Sequence, residues 1–173
     1  QAQRATTRKS DNQKQKGSKK IRDSSVVFLD ERWLYQEIQP FIHEANEKSN
    51  WNFQWDFTEA CQFTIYGPNQ HYSWHVDASL PYDCPDDLKR HNKIRKISMV
   101  ICLSDPKDFK GGNLQFNFRD HKDIDKCKDH TVKQITNQGS VVVFPSHLWH
   151  RVTPVTKGIR YSLVAWSLGK PFI

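Results

Sequence analysis

Beyond Asn50 the chain never sustains a helical period. Its apolar residues come in short runs that break at Gly, Pro, Asn or Asp. Runs of strand character fall near 60–66, 72–76, 97–103, 113–118, 132–135, 140–144, 150–155 and 160–167. Turn signals separate them at Gly67-Pro68-Asn69, Gly111-Gly112, Asn137-Gln138-Gly139 and Thr156-Lys157-Gly158. Short strands in this number bury their apolar faces by packing sheet on sheet. Ahead of them Asp30 is placed to cap a helix of about five turns. Leu34, Ile38, Phe41, Ile42 and Ala45 mark its buried face. The expectation is a mainly β protein with an N-terminal helix, folded as a double-sheet jelly roll rather than an alternating α/β sheet. No internal repeat is visible.

The length of 173 residues suits one domain. Residues 1–20 are polar and basic, so the expected division is a flexible basic segment at 1–20 and a folded domain at 21–173. Residues 1–24 carry eight Lys and Arg against two Asp, which is +6 of the net +7. A basic tail of this kind can meet nucleic acid, but the near-neutral body offers no basic face and does not favour that partner. Cys61, Cys84, Cys102 and Cys127 form no close pair, which predicts reduced thiols in a cytoplasmic setting. No apolar run has the length of a membrane span.

The segment Trp74-His75-Val76-Asp77 sets an imidazole and a carboxylate two residues apart. On a strand both side chains leave the same face. Two His and one carboxylate with open positions define the facial triad of non-haem Fe(II) oxygenases. The third ligand must come from His91, His121, His130, His147 or His150. The first lies in a long loop, and His121 and His130 lie in an irregular charged stretch. His147 and His150 follow the apolar strand Val141–Phe144. His150 opens the next strand and is favoured on rigidity, with His147 read as a supporting or surface residue.

Arg160 follows His150 by ten residues across the turn at 156–158. Read as a β-hairpin, residues 150–164 point His150 and Arg160 to one face. A buried guanidinium there asks for a carboxylate, and a dicarboxylate cosubstrate bridging metal and Arg160 would supply it. Ser162 is placed to add a hydroxyl bond.

These residues sit in longer blocks, including IRDSSVVFL from Ile21, QFTIYGPNQHYSWHVDAS around the His-Asp pair, ISMVICLSDPKDFKGGNLQF from Ile97 and GSVVVFPSHLWHRVTPVTKGIRYSLVAW from Gly139. Together they resemble the prolyl-4-hydroxylase-like, PKHD-type branch of the Fe(II)/2-oxoglutarate dioxygenases, in family order from Ile21 to Trp166. The resemblance implies a double-stranded β-helix of cupin-like form. It implies iron held by His75, Asp77 and His150, the distal carboxylate of 2-oxoglutarate on Arg160, and a further hydroxyl bond from Tyr66. It also implies O₂ as co-reactant, with ascorbate as an accessory reductant. The activity implied is hydroxylation of a prolyl or other residue in a peptide or protein, with 2-oxoglutarate converted to succinate and CO₂. A nucleic-acid or small-molecule oxygenase is the alternative. Phe63, Phe116, Phe144 and Trp166 are candidate apolar walls. Residues 78–95 read as a lid or a solvated insertion.

Overall fold

The computed structural model describes residues 3–4, 21–78, 80–118, 128–135 and 137–172. The strands are β1 (Gln3–Arg4), β2 (Arg22–Asp23), β3 (Ser25–Leu29), β4 (Phe57–Thr58), β5 (Cys61–Tyr66), β6 (His71–His75) and β7 (Ile94–Cys102). They continue as β8 (Phe109–Gly111), β9 (Leu114–Asn117), β10 (Asp129–Thr131), β11 (Val141–Pro145), β12 (Trp149–Val152), β13 (Val155–Gly158) and β14 (Arg160–Gly169). Helix α1 (Arg32–Lys48) lies between β3 and β4. Among the described residues no helix is long and apolar enough to cross a membrane.

The strands form two facing sheets, the jelly roll expected from the sequence. The larger has the order β1-β3-β5-β14-β7-β11, with β4 added beside β14. The smaller runs β10-β9-β12-β6-β2, and β13 pairs with β8 as a separate ribbon. Period-2 alternation sorts the larger sheet's side chains. Cys61, Ile97, Met99, Leu163 and Ala165 pack against Leu34, Ile38 and Ile42 of the helix. The alternate residue Val100, with Phe144 on β11, faces Leu114 and Phe116 of the smaller sheet. The helix thus covers one face of the larger sheet, and the site lies between the sheets.

Several expectations need correction. The cap position of α1 is Glu31, not Asp30, and it makes no side-chain capping bond. Phe41 is exposed, because the buried stripe runs along Leu34, Ile38 and Ile42 only. Residues 132–135 form no strand; the pairing residues are those of β10 just before them. Phe63 leaves β5 on the helix side and stacks on Tyr161, so it is no wall of the site. The hairpin at 150–164 does not exist. β12 pairs with β6 and β9 in the smaller sheet, whereas β14 pairs with β5 and β7 in the larger. The intervening β13 turns aside to pair with β8, which carries the chain from one sheet to the other. The basic segment 1–20 lies outside the described residues except Gln3–Arg4, which pair with Val26 and Ser25. Cys127 and His121 also lie outside them.

Candidate metal and cosubstrate site

His75 ends β6 and His150 lies on β12, directly opposite it in the antiparallel register. The pairing brings both imidazoles to one spot, with ring centroids 4.1 Å apart. Asp77 stands just past the end of β6 rather than on it. Its backbone N–H, and that of Ala78, donate to the carbonyl of Ser146. Its carboxylate lies 3.6 Å from His75 Nε2 and 3.4 Å from His150 Nε2. One ligand atom from each of the three residues falls within 4.8 Å of the others. Metal–ligand bonds of about 2.1 Å at right angles would set donors about 3 Å apart, so a small inward movement suffices.

The protonation pattern also suits a metal. His75 Nδ1 lies 2.8 Å from the carbonyl of Ser73, and His150 Nδ1 lies 2.9 Å from that of Leu148. A carbonyl only accepts, so each Nδ1 carries a proton and each Nε2 is directed at Asp77. Burial holds the His150 imidazole below its ordinary pKa, against the opposing pull of Asp77. Burial works against ionisation of Asp77, but His75, His150 and Arg95 outweigh it and keep the group well below the usual carboxylate range. Phe144 packs edge-on against His150 at 4.8 Å, with Phe116 at 6.1 Å.

The larger sheet contributes the other half. Arg160 opens β14 opposite Tyr66, the last residue of β5. Its guanidinium carbon lies 5.7 Å from the Tyr66 ring centroid. Ser162, two residues on and therefore on the same face, accepts a bond from Arg160 Nη1 at 3.2 Å. Arg160 is 2% exposed, and no carboxylate pairs with it among the described residues. Burial lowers its pKa, with Tyr66 and Cys102 partly offsetting that.

The model of the 2OG-Fe(II) oxygenase superfamily matches residues 61–168, a span that contains every residue named above. The chain belongs to this superfamily. It is 34% identical over 108 residues to a PKHD-type hydroxylase of Alteromonas mediterranea, covering 60% of this chain and 41% of that protein. The chain thus spans about two fifths of the length of the curated relatives it matches. In fold it is similar to a Pseudomonas putida prolyl-4-hydroxylase, with TM-score 0.58, 23% identity, and 86% of this chain and 71% of that one covered. It is also similar to a prolyl hydroxylase from Trichoplax adhaerens, solved with a peptide fragment of the hypoxia inducible factor oxygen degradation domain. There the TM-score is 0.61 and the identity 17%, with 87% of this chain and 65% of that one covered.

The residues present fit the superfamily's iron and 2-oxoglutarate. The triad offers two imidazole nitrogens and a carboxylate, a donor set suited to Fe(II). The buried Arg160 lacks the anion that a guanidinium out of water requires, and a carboxylate end of 2-oxoglutarate is such an anion. Burial raises the Tyr66 phenol, with Arg22 and Arg160 opposing, so Tyr66 keeps its proton as a hydroxyl donor.

Of the histidines considered, His147 is exposed. His130 is also exposed, on β10. His91 Nδ1 accepts from the Cys84 amide. None of these joins the triad.

Three residues escaped sequence reading. Ser98 Oγ donates to Asp77 Oδ2 at 2.8 Å and lies 2.8 Å from Ser146 Oγ. Serines carry no distinguishing pattern, although Ser98 breaks an otherwise apolar run. Gly112 carries only a turn signal in the sequence. Its φ is +59°, and an added Cβ would lie 2.8 Å from Arg160 Cδ.

Within the segment 78–95, the described residues 80–93 are anchored at several points although much of their surface is exposed. Tyr82 is buried beside Trp166 and Leu168. Tyr82 N–H and Asn92 N–H close the segment on the carbonyls of Lys93 and Tyr82. Arg90 Nε approaches Glu59 at 3.4 Å, and Glu59 also holds Arg95 Nε at 2.5 Å. Arg95 in turn lies 3.8 Å over the Trp166 ring. This rim borders an open cavity of about 1230 Å³ whose wall includes His75, Asp77, Tyr82 and Trp166.

Proposed function

We propose that the chain carries the catalytic site of an Fe(II)- and 2-oxoglutarate-dependent hydroxylase that acts on a peptide or protein, with a prolyl residue as the favoured target. The observation that carries this reading is the buried triad with both Nε2 atoms turned to the Asp77 carboxylate, completed by the unpaired charge of Arg160 from the opposite sheet. His75, Asp77 and His150 would hold iron. Arg160, Ser162 and the Tyr66 hydroxyl would bind and orient 2-oxoglutarate. With both bound, O₂ oxidises 2-oxoglutarate to succinate and CO₂ and places its second oxygen atom in a substrate C–H bond.

The protein's own part is positioning and exclusion. Phe116 and Phe144 keep water from the His150 side. The carbonyls of Ser73 and Leu148 fix the imidazole tautomers, and Ser98 aims the Asp77 carboxylate. The open cavity on the other side of His75 admits a polypeptide segment. Its Arg90 and Arg95 are tied to Glu59, so the cavity wall offers no continuous basic track for nucleic acid. The free thiols of Cys61, Cys84 and Cys102 accord with a cytoplasmic setting as part of the same reading.

The test is anaerobic reconstitution with Fe(II), addition of O₂, and measurement of succinate formed from 2-oxoglutarate, with and without ascorbate. Wild type should form succinate slowly even without a peptide. Asp77→Ala should fall to the metal-free background, because one carboxylate in three ligands is lost. Full turnover by Asp77→Ala would overturn the triad.

A further inference from the structure

The cavity wall contains a second buried guanidinium, that of Arg22, which also shares a hydrogen bond with the Tyr66 hydroxyl. Arg22, on β2, is 8% exposed and lines the same cavity as His75 and Asp77. Its Nε donates to Ser24 Oγ at 3.0 Å and its Nη1 to Gln62 Oε1 at 3.4 Å. Its guanidinium carbon lies 4.6 Å over the Tyr72 ring, which stacks on His75 at 3.5 Å. Its Nη2 is buried with no hydrogen-bond partner. All these partners are neutral, and no carboxylate pairs with Arg22 among the described residues. On the opposite wall the indole Nε1 of Trp166, a residue 6% exposed, is likewise buried without an acceptor.

Counting charge shows what is missing. The two charges of iron and the one of Arg160 are balanced by Asp77 and the two carboxylates of 2-oxoglutarate. Arg95 is balanced by Glu59. Arg22 remains, and a buried cation without a counter-charge is costly enough to mark the place of an anionic ligand. The distal carboxylate of the cosubstrate already has Arg160, so a second anion must come with the substrate.

We propose that Arg22 is a carboxylate-binding subsite for the prime substrate, which is therefore a polypeptide segment bearing an acidic side chain beside the residue oxidised. Trp166 Nε1 takes a backbone carbonyl of the same segment. The inference rests on the function proposed above and specifies its substrate class. It assigns Arg22 to the substrate rather than to 2-oxoglutarate, and that distinction is measurable.

The experiment uses the whole chain loaded with Mn(II) and 2-oxoglutarate, so that binding is read without turnover. Two fluorescein-labelled probe peptides, Ala-Glu-Pro-Glu-Ala and Ala-Gln-Pro-Gln-Ala, are titrated at physiological salt and followed by anisotropy. Binding of 2-oxoglutarate is measured in the same samples. The acidic peptide should bind at least about tenfold more tightly than the neutral one, as for a charge-assisted pair out of bulk water. Arg22→Gln should abolish that preference and leave 2-oxoglutarate affinity within about twofold.

Equal affinities in wild type, including no binding of either peptide, overturn the subsite. So does a preference that survives Arg22→Gln, and so does an Arg22→Gln variant that loses 2-oxoglutarate itself, which would place Arg22 in the cosubstrate site. Absence of Mn(II)-dependent 2-oxoglutarate binding in wild type would instead sink the hydroxylase reading. Arg22→Met keeps the length and removes the charge, and it decides the matter if Arg22→Gln does not fold: loss of the acid preference supports the subsite, and an unchanged preference overturns it.

Discussion

The inner end of the site, formed by the triad and Arg160, and the rim of the cavity beside it are built by different means. At the inner end, strand register places every candidate side chain except Asp77, which is held just past β6 by Ser146 and Ser98. His75 faces His150 across one antiparallel pair, Tyr66 faces Arg160 across another, and Ser162 follows Arg160 at the two-residue repeat. At the rim, side chains from loops and strand ends are tied by charge, with Glu59 holding both Arg90 and Arg95 and these lying over Tyr82 and Trp166. Backbone pairing leaves little freedom, whereas ion pairs at a rim can exchange partners. A site built this way keeps its chemistry fixed while its recognition surface adjusts.

Substitutions can break or sharpen that contrast. The largest effect on cosubstrate binding is expected from Arg160→Ala, which removes a buried charge from a fixed position. The dissociation constant for 2-oxoglutarate should rise about 10²- to 10³-fold by calorimetry with Mn(II) present. A change below about threefold would show that Arg160 does not meet the carboxylate. Ser98→Ala comes next. It releases one oxygen of Asp77, and metal affinity should fall about 10- to 100-fold while the fold is retained, as for the loss of a bond that orients a ligand. Titration with Mn(II) followed by electron paramagnetic resonance reads this directly. An unchanged affinity would show that Ser98 does not aim the carboxylate.

Gly112→Ala tests the inner end from behind. The added Cβ meets Arg160 Cδ and Val155 Cγ2, and the left-handed φ adds strain. Loss of about 1–3 kcal/mol of stability in urea is expected, with 2-oxoglutarate affinity about tenfold weaker. The smallest effect on the inner end should come from Glu59→Gln. It frees Arg90 and Arg95 at the rim, so proteolytic nicking within 76–93 should accelerate while 2-oxoglutarate affinity stays within about twofold. A large loss of 2-oxoglutarate binding in that variant would erase the distinction between the inner end and the rim.

The inner end was legible in the sequence, and the rim was not. The spacing of His75 and Asp77 singled out candidate ligands because it is a local pattern, although Asp77 lies past the strand rather than on it. His150 could be preferred over His147 for the same reason, since one opens a strand and the other sits in a turn. The hairpin reading of Arg160 fails on topology, since Arg160 lies on the larger sheet and His150 on the smaller. A ten-residue separation across a turn reads as a hairpin, but the sheet to which each strand belongs is decided by non-local pairing. Phe63 failed on phase, because a shift of one residue turns a strand's side chains to the opposite face. Arg22 and Glu59 had no local signal, as each gains its meaning only from residues about forty positions away, Gln62 in one case and Arg95 in the other.

The tether between Ser98 and Asp77 has a temporal consequence. Both imidazoles belong to the smaller sheet, but the carboxylate between them is aimed by a hydroxyl from the larger one. A half-formed molecule with only β6 and β12 paired would present two histidines and a wandering acid. High-affinity metal capture therefore waits for the two sheets to close, an event dominated by contacts distant in the chain and correspondingly slow. The arrival of metal affinity during refolding would time that closure, and iron would be withheld from chains not yet able to contain its reactivity.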